Sequence, residues 1–344
     1  MSAGAGERYV AIDNVCAWPN LTLLADGSIA AAIYNQPVHG RWYGDVECWA
    51  STDGGRLWTR RSVPARGEPP GNRMNVAAGR TAAGTYVVLA SGWSPVLEPG
   101  DESHSTPPED GVLRALVCRS DDHGHQWTCD GTFVLPDEST PAPVPFGDVV
   151  DGDAGLLATS AYHRFRPGRR IAYFYVSTDG GASWRPRARI GADDCSETAL
   201  LHLGSGEWLA ACRTLRDAHL RLFRSRDDGL TWGDEGPLTL PRQHPAHLLR
   251  LADGRILLVY GMRNQGLYGI GARLSPDDGA TWGPPRLLVG LDDATDGGYP
   301  SSVQMPDGTI VTAYYANRIA CHCVRPRARA DERWLSGTAS IPDR

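Results

Sequence analysis

A short motif recurs five times along the chain and constrains the fold more than any other feature. The first copy reads STDGGRLW, and every copy shares its Ser, Asp, Gly and Trp. In a tight turn, Ser and Asp oxygens accept hydrogen bonds from backbone N–H groups, Gly adopts a positive φ, and Trp covers the hairpin. Each copy follows an alternating apolar run, so each is predicted to close a β-hairpin. The copies occupy residues 51–58, 120–127, 177–184, 225–232 and 275–282.

A second turn type, often Asp-Gly, alternates with the first. LTLLADGSIAAAIY is one of six segments that each read as two strands around a Gly-bearing turn. Together the two turns divide the chain into units of four strands with a period of roughly 50 residues. We therefore expect an all-β, six-bladed β-propeller of four-stranded antiparallel blades, a single domain over residues 1–344. The N-terminal RYVAI is expected to complete the sixth blade, and a solenoid is the alternative architecture.

Composition excludes several functional classes. The chain has 344 residues, 41% of them hydrophobic, which is typical of a globular protein. Its formal net charge is −6 and its Arg residues are scattered, so it lacks the basic patch of a nucleic-acid-binding or membrane-surface protein. No apolar run approaches a membrane span, and no signal-peptide pattern opens the sequence. We expect a cytoplasmic protein that binds neither nucleic acid nor membranes, while its oligomeric state stays open.

The eight cysteines favour buried thiols over a disulfide framework. Most lie in apolar strand-like runs, and a chain of this size does not need disulfides for stability. Cys118 and Cys129 flank one copy of the motif and are the pair most able to bridge. Alternation along a strand explains the CHC sequence at Cys321 and Cys323 better than zinc binding does. The motif acids are too few for a calcium loop, so no metal site is expected.

Candidate functional residues concentrate on one predicted face. If both turn types lie at one end of the strands, the remaining loops open at the other end. Those loops are rich in groups that bind anions or transfer protons. They contain His39, Asp45, Arg73, His163, Arg164, Glu197, Arg213, His244, His247, Arg263, Tyr299 and Arg318.

Five Asp-box motifs on six four-stranded units resemble the sialidase (neuraminidase) superfamily over essentially the full length. The resemblance implies an exo-acting, retaining glycoside hydrolase that cleaves an anionic terminal sugar such as sialic acid, a related ulosonate or a uronate. Members of this superfamily use a Tyr/Glu nucleophile pair with retention and need no cofactor. Asp-boxes also occur in non-catalytic glycan-binding proteins, so the motif indicates the fold more strongly than the activity.

The resemblance also implies roles for particular residues. Tyr299, in GGYPSSVQ, matches the nucleophile, and Glu197, in SETALLHL, matches the carboxylate that accepts its proton. Asp45, in WYGDVECW, is placed like the acid/base. Arg213 ends the strand WLAACRT and Arg263 ends LLVYGMR, which are family positions for Arg residues that bind the substrate carboxylate.

One element of the family pattern is missing. Sialidases begin the first blade with an Arg-Ile-Pro-like motif, whereas this chain reads CAWPNLTLL, with Ala17 in place of the Arg and Trp18 keeping the frame. Arg73, Arg41 and Arg318 are candidates for the missing charge. Alternatively, the substrate is an anionic sugar without the carboxylate geometry of sialic acid.

Four histidines lie in the loops of the predicted functional face, and they suggest a reaction other than sialidase-type hydrolysis. A Tyr and a His acting together could catalyse β-elimination on a uronate, which makes a polysaccharide lyase one alternative. A non-catalytic glycan-binding propeller is a second alternative. We therefore count Arg73, His163, His244, His247 and Trp18 among the candidate substrate-binding residues, beside Arg213 and Arg263.

Overall fold

A computed structural model of the protein describes residues 7–15, 18–100, 111–165, 168–191, 193–216, 218–291, 297–316 and 319–325. Regular structure in these residues is β-strand apart from one 3-10 turn at Asp153–Gly155. No helix within this part of the chain is long and apolar enough to cross a membrane.

The strands form five sheets. The N-terminal strand β1 (Glu7–Ile12) belongs to sheet 5. Sheet 1 contains, in chain order, β2 (Asn20–Leu23), β3 (Ile29–Tyr34), β4 (Val46–Ser51) and β5 (Thr59–Ala65). Sheet 2 contains β6 (Asn75–Arg80), β7 (Tyr86–Ser91), β8 (Leu116–Ser120), β9 (Thr132–Phe133), β10 (Pro143–Asp151), β11 (Leu157–Phe165), β12 (Arg169–Ser177) and β13 (Ser183–Ile190). Its spatial order is β8-β7-β6-β10-β11-β12-β13-β9.

The remaining three sheets have four strands each. Sheet 3 contains β14 (Cys195–Gly204), β15 (Glu207–Thr214), β16 (Leu220–Ser225) and β17 (Gly233–Pro237). Sheet 4 contains β18 (Gln243–Arg250), β19 (Ile256–Asn264), β20 (Leu267–Ser275) and β21 (Arg286–Leu291). Sheet 5 contains β22 (Gly297–Gln304), β23 (Ile310–Ala316) and β24 (Ile319–Arg325), with β1 paired antiparallel to β24. The N-terminal strand thus completes the last sheet, as predicted.

Six strands, called here the inner strands, form a closed ring. They are β2, β6, β10, β14, β18 and β22; each contacts the next, and β22 contacts β2. All six line a common axial cavity of about 260 Å³. The solenoid alternative is wrong, because a solenoid would leave its first and last repeats apart.

Polar contacts across the axis join inner strands that are not neighbours. Asn20 Nδ2 in β2 donates hydrogen bonds to Gly147 O at 2.7 Å and Asp148 Oδ1 at 3.0 Å in β10. His247 Nε2 in β18 lies 2.9 Å from Asp148 Oδ2. The Asp148 carboxylate therefore links three alternate inner strands, which fixes their spacing around the axis.

The repeated motif lies where the sequence predicts, in the turns that join the third strand of a unit to its fourth. In the turn between β12 and β13, Ser177 Oγ donates to Asp179 Oδ1 at 2.7 Å, and Gly181 N donates to Ser177 Oγ at 3.0 Å. Trp184 Nε1 donates to Gly181 O, and its ring is fully buried. The same Ser–Asp and Gly–Ser bonds occur in all five copies, so each turn satisfies its own polar groups.

The cysteines depart from the expectation at one pair. Cys118 and Cys129 form a disulfide bond, so the prediction of a free thiol is wrong there, although they are the pair expected to be most able to bridge. The bridge forms because β8 and the segment after the motif run side by side, with Arg119 facing Thr128. Cys48, Cys195 and Cys212 are free and buried. Disulfides persist mainly in oxidising compartments, which runs against the cytoplasmic expectation.

Removing one motif carboxylate should lower stability. Asp179 accepts hydrogen bonds from Ser177 and from the backbone and side chain of Ser183. We expect Asp179→Ala to lower the thermal midpoint by about 1–3 °C, or roughly 1 kcal/mol, because these donors lose their acceptor. Thr178→Ala, at an exposed neighbour in the same turn, is the control. Equal midpoints for the two variants in differential scanning calorimetry would contradict a structural role for the carboxylate.

Candidate active site

Three inner strands carry a β-bulge near the same end. In each bulge, two residues of the inner strand oppose one residue of the neighbouring strand. The bulges contain Glu197 in β14, His244 in β18 and Tyr299 in β22. A bulge interrupts the alternation of side chains and re-aims them, and bulges are common beside active sites. The ring therefore directs these three side chains toward one region.

The backbone at Tyr299 is strained. Its φ is +48°, which is rare for a bulky residue, and the preceding Gly298 has a φ of +99°. Such a conformation costs on the order of 1–3 kcal/mol and is concentrated at functional sites. Gly261 in β19 allows the neighbouring bulge to pack closely, because a Cβ there would lie 2.8 Å from the carbonyl oxygen of His244.

A buried carboxylate joins two of the bulges. Tyr299 Oη donates a hydrogen bond to Glu197 Oε1 at 2.8 Å. Arg213 Nη1 donates to Glu197 Oε2 at 2.5 Å and lies 3.5 Å from Tyr299 Oη. Tyr299 is 5% exposed and Glu197 is 3% exposed. Charge-assisted hydrogen bonds are strong in such an environment, so the three groups form one unit.

The protonation states in this unit suit a phenol nucleophile and a carboxylate base. Burial acts to raise the pKa of Glu197, but the charge of Arg213 and the hydrogen bonds from Arg213 and Tyr299 lower it to about 2. Burial, together with the negative charge of Glu197, raises the pKa of Tyr299 well above its ordinary value. At neutral pH, Glu197 is therefore ionised and Tyr299 is a neutral phenol whose proton already points at an acceptor.

Arg263 and His244 lie beside the same tyrosine. The guanidinium carbon of Arg263 is 5.3 Å from the centroid of the Tyr299 ring, and its Nη2 donates to Gly297 O at 3.1 Å. His244 Nδ1 lies 3.4 Å from Arg263 Nη1. Burial lowers the pKa of His244 to about 3, with the charges of Arg213 and Arg263 acting in the same direction. His244 is therefore neutral and adds hydrogen-bonding capacity to a site whose positive charge comes from arginine.

Aromatic rings enclose Tyr299. Trp18 stacks on it with centroids 5.2 Å apart, and Tyr315 stacks at 5.7 Å. Phe146 and His39 approach edge-on at 6.2 and 5.9 Å. These contacts hold the ring of Tyr299 while leaving its hydroxyl on the Glu197 side.

Phe146 and Tyr315 were not selected from the sequence. Tyr315 is the penultimate residue of β23, as Arg213 is of β15 and Arg263 is of β19. Equivalence between the repeated units was therefore a signal that could have identified Tyr315. Phe146 carried no such signal, because an apolar residue in an inner strand reads as core.

Two of the predicted residues have hydrogen-bond partners outside this group. Asp45 Oδ1 accepts a hydrogen bond from Gly67 N at 2.8 Å, and no hydrogen bond or ion pair within the described chain joins it to Tyr299 or Glu197. Arg73 Nη1 donates to Arg114 O at 2.6 Å. Ala17 and Arg318, which bear on the missing first arginine, lie outside the described residues.

Two of the histidines predicted to bind substrate have internal partners. His163 is fully buried, with Nδ1 2.7 Å from Pro141 O and Nε2 3.0 Å from Tyr175 Oη, and burial lowers its pKa to about 4. His247 belongs to the axial contact with Asp148. Both side chains therefore contribute to packing within the ring, and their role in substrate binding stays a prediction.

Comparisons with known proteins agree with this architecture. A sialidase of Bacteroides fragilis is 23% identical over 92% of this chain and 63% of the relative, so the chain spans less than two thirds of that protein. The structure of a protein of unknown function from Dyadobacter fermentans has a TM-score of 0.78 at 24% identity, covering 93% of this chain and 97% of that one. A Hadza microbial sialidase has a TM-score of 0.72 at 19% identity, covering 91% and 65%.

At these identities, the similarity to solved structures establishes the fold alone. Family membership rests on the sequence, because residues 43–312 match the BNR repeat-like domain. The match spans well over half of the chain and includes Tyr299, Glu197 and both arginines. The protein is therefore a member of the BNR repeat-like domain family.

Proposed function

We propose that the protein is an exo-acting, retaining glycoside hydrolase of the sialidase type, acting on an anionic terminal sugar. The observation that carries the proposal is the hydrogen bond from the Tyr299 phenol to the buried carboxylate of Glu197. The similar proteins from Bacteroides fragilis and from the Hadza microbial source are both named sialidases, which supports the same reaction class. The natural sugar is sialic acid, a related ulosonate or a uronate.

The reaction runs in two steps. In the first, the Tyr299 oxygen attacks the anomeric carbon, its proton passes to Glu197, and the bond to the leaving group breaks as an acid protonates the leaving oxygen. In the second, water attacks the anomeric carbon and gives up a proton to the conjugate base of that acid, the bond to Tyr299 breaks, and Tyr299 recovers its proton from Glu197. Because Tyr299 is neutral before attack, it approaches an anionic sugar without charge repulsion.

Arg213 and Arg263 bind the carboxylate of the sugar in this proposal. Arg213 Nη1 is engaged by Glu197, but a guanidinium has five N–H donors. Within the described residues, the Nε atoms of both arginines are buried without a hydrogen-bond partner. Buried donors without acceptors are unfavourable, and an anionic substrate would supply the acceptors. Neutral His244 and the Trp18 ring complete the binding surface.

We further propose that the ring has six blades and that residues 1–344 form one domain. The eight strands of sheet 2 then count as two blades, β6–β9 and β10–β13. The link between their inner strands supports this division, since β10 pairs with β6 at two residue pairs alone. The pairing of β1 with β24 supports closure within a single domain.

The alternatives raised by the sequence have less support. The lyase hypothesis depended on four histidines in the loops of the predicted functional face. Two of them, His163 and His247, make internal contacts. Binding of a glycan alone does not require a strained backbone at Tyr299 or a proton acceptor beside its hydroxyl.

Replacing Tyr299 by Phe tests the proposed nucleophile. We expect Tyr299→Phe to reduce kcat/KM by about a thousandfold or more, because the ring stays in place while the attacking oxygen is lost. The measurement is turnover of aryl glycosides of sialic acid, related ulosonates and uronates. Tyr260→Phe is the matched control and should leave turnover unchanged, because it removes the hydroxyl of a fully buried tyrosine that has no hydrogen-bond partner among the described residues.

Two results would overturn the proposal. Undiminished turnover by the Tyr299→Phe protein would exclude the nucleophile. If the unaltered protein turns over none of the glycosides and the free sugars nevertheless raise its thermal midpoint, the protein binds glycans without hydrolysing them.

The charge state of Glu197 predicts a pH-dependent contribution to stability. Its pKa in the folded protein is about 2, below the ordinary 4.5, so the carboxylate stabilises the fold above about pH 4.5. That contribution is lost as the pH falls toward 2. The difference in unfolding midpoint between the unaltered protein and Glu197→Gln should therefore be constant from pH 7 to 5 and shrink below it. Glu138→Gln, at an exposed position, is the control, and a gap independent of pH would contradict an ionised Glu197.

A further inference from the structure

The proposed reaction requires a group that protonates the leaving oxygen. Asp45 was the expected residue, but its carboxylate accepts a hydrogen bond from Gly67 N and is not joined to Tyr299. Any replacement must lie beside Tyr299, reach the opening of the site, and exchange a proton near neutral pH.

His39 meets the positional requirement. It lies in the segment between β3 and β4 that also contains Asp45. Its ring centroid is 5.9 Å from that of Tyr299 and 5.8 Å from that of Trp18. His39 is half-buried and Glu197 is almost fully buried, so His39 is the more accessible of the two.

Tyr315 fixes the orientation of the His39 ring. His39 Nδ1 lies 2.8 Å from Tyr315 Oη, and the two rings also pack edge-on at 5.9 Å. Tyr315 is 1% exposed and stacks on Tyr299, so it contacts both the imidazole and the nucleophile. A partner on one ring nitrogen determines which nitrogen reacts, as in other His-dependent sites.

The segment after His39 is also anchored. Gly40 has a φ of +66°, and a Cβ there would lie 2.3 Å from Met74 Sδ. The buried Asn72 side chain donates a hydrogen bond to Gly40 O at 2.9 Å. A proton donor on a loop is effective when neighbouring contacts hold the loop, and these contacts supply that support.

We infer that His39 is the acid/base residue of this site and that Tyr315 is its positioning residue. The inference rests on the proposed function. In the first step, imidazolium Nε2 gives its proton to the leaving oxygen as the glycosidic bond breaks, while Nδ1 donates to Tyr315 Oη. In the second step, neutral His39 takes a proton from the attacking water, which restores the imidazolium as Glu197 returns the proton of Tyr299.

The dependence on leaving group separates proton donation from substrate binding. Two substrates are compared, each carrying the sugar that the unaltered protein turns over: one with an alkyl or sugar leaving group and one with a nitrophenyl group. We expect His39→Gln to lower kcat/KM about a hundredfold or more on the first and less than about tenfold on the second, since nitrophenolate leaves without a proton. Asp45→Asn is measured alongside and should affect both substrates alike.

Tyr315→Phe tests the positioning role, because it keeps the ring and removes the hydroxyl. We expect a smaller loss, about three- to tenfold, that is again confined to the poor leaving group. A residue that only supports packing would lower kcat/KM equally on both substrates or lower the thermal midpoint.

Equal losses on both substrates in the His39→Gln protein would overturn the assignment. So would a leaving-group dependence in Asp45→Asn that exceeds the one in His39→Gln, and this result would return the role to Asp45. Loss of activity on both substrates in Tyr299→Phe would still support the proposed function in either case. If the unaltered protein hydrolyses neither substrate, the proposed function and the role of His39 both fail.

Discussion

The buried contact among Tyr299, Glu197 and Arg213 is the interaction on which the site depends. Glu197 and Tyr299 are 102 residues apart in sequence and belong to different sheets, yet their side chains are hydrogen-bonded at 2.8 Å. An isolated carboxylate in that position would be strongly unfavourable. The guanidinium of Arg213 offsets its desolvation, and the phenol satisfies its other oxygen. These contacts keep the carboxylate ionised and hydrogen-bonded to the phenol.

Closure of the ring of inner strands stabilises the strained backbone that positions Glu197 and Tyr299. The bulges that redirect Glu197 and Tyr299, and the left-handed backbone at Tyr299, are tolerable because neighbouring inner strands fix their positions. The axial contacts of Asp148 with Asn20 and His247 add cross-links between alternate strands. The repeated motif lies at the other end of the sheets, where each copy stabilises a turn.

The sequence predicted the repeated architecture well because turn chemistry is local. A Ser, an Asp and a Gly at fixed spacing form the same hydrogen bonds in every copy. Site residues were predictable where repeat position and family pattern agreed, as for Tyr299 and Glu197, which the structure brings together. His163 could not be assigned in this way, because its buried partners Pro141 and Tyr175 come from the tertiary packing of one sheet.

A double-mutant cycle on Glu197 and Tyr299 tests the central contact most directly, and it requires no knowledge of the substrate. The free energy of unfolding is measured for the unaltered protein, Glu197→Gln, Tyr299→Phe and the double variant by urea denaturation. Hydrogen-bonded buried partners are coupled, so the account predicts an interaction energy of about 1 kcal/mol or more. Single effects that add to within about 0.5 kcal/mol would contradict it, because they would show that the two side chains do not share a proton-transfer contact.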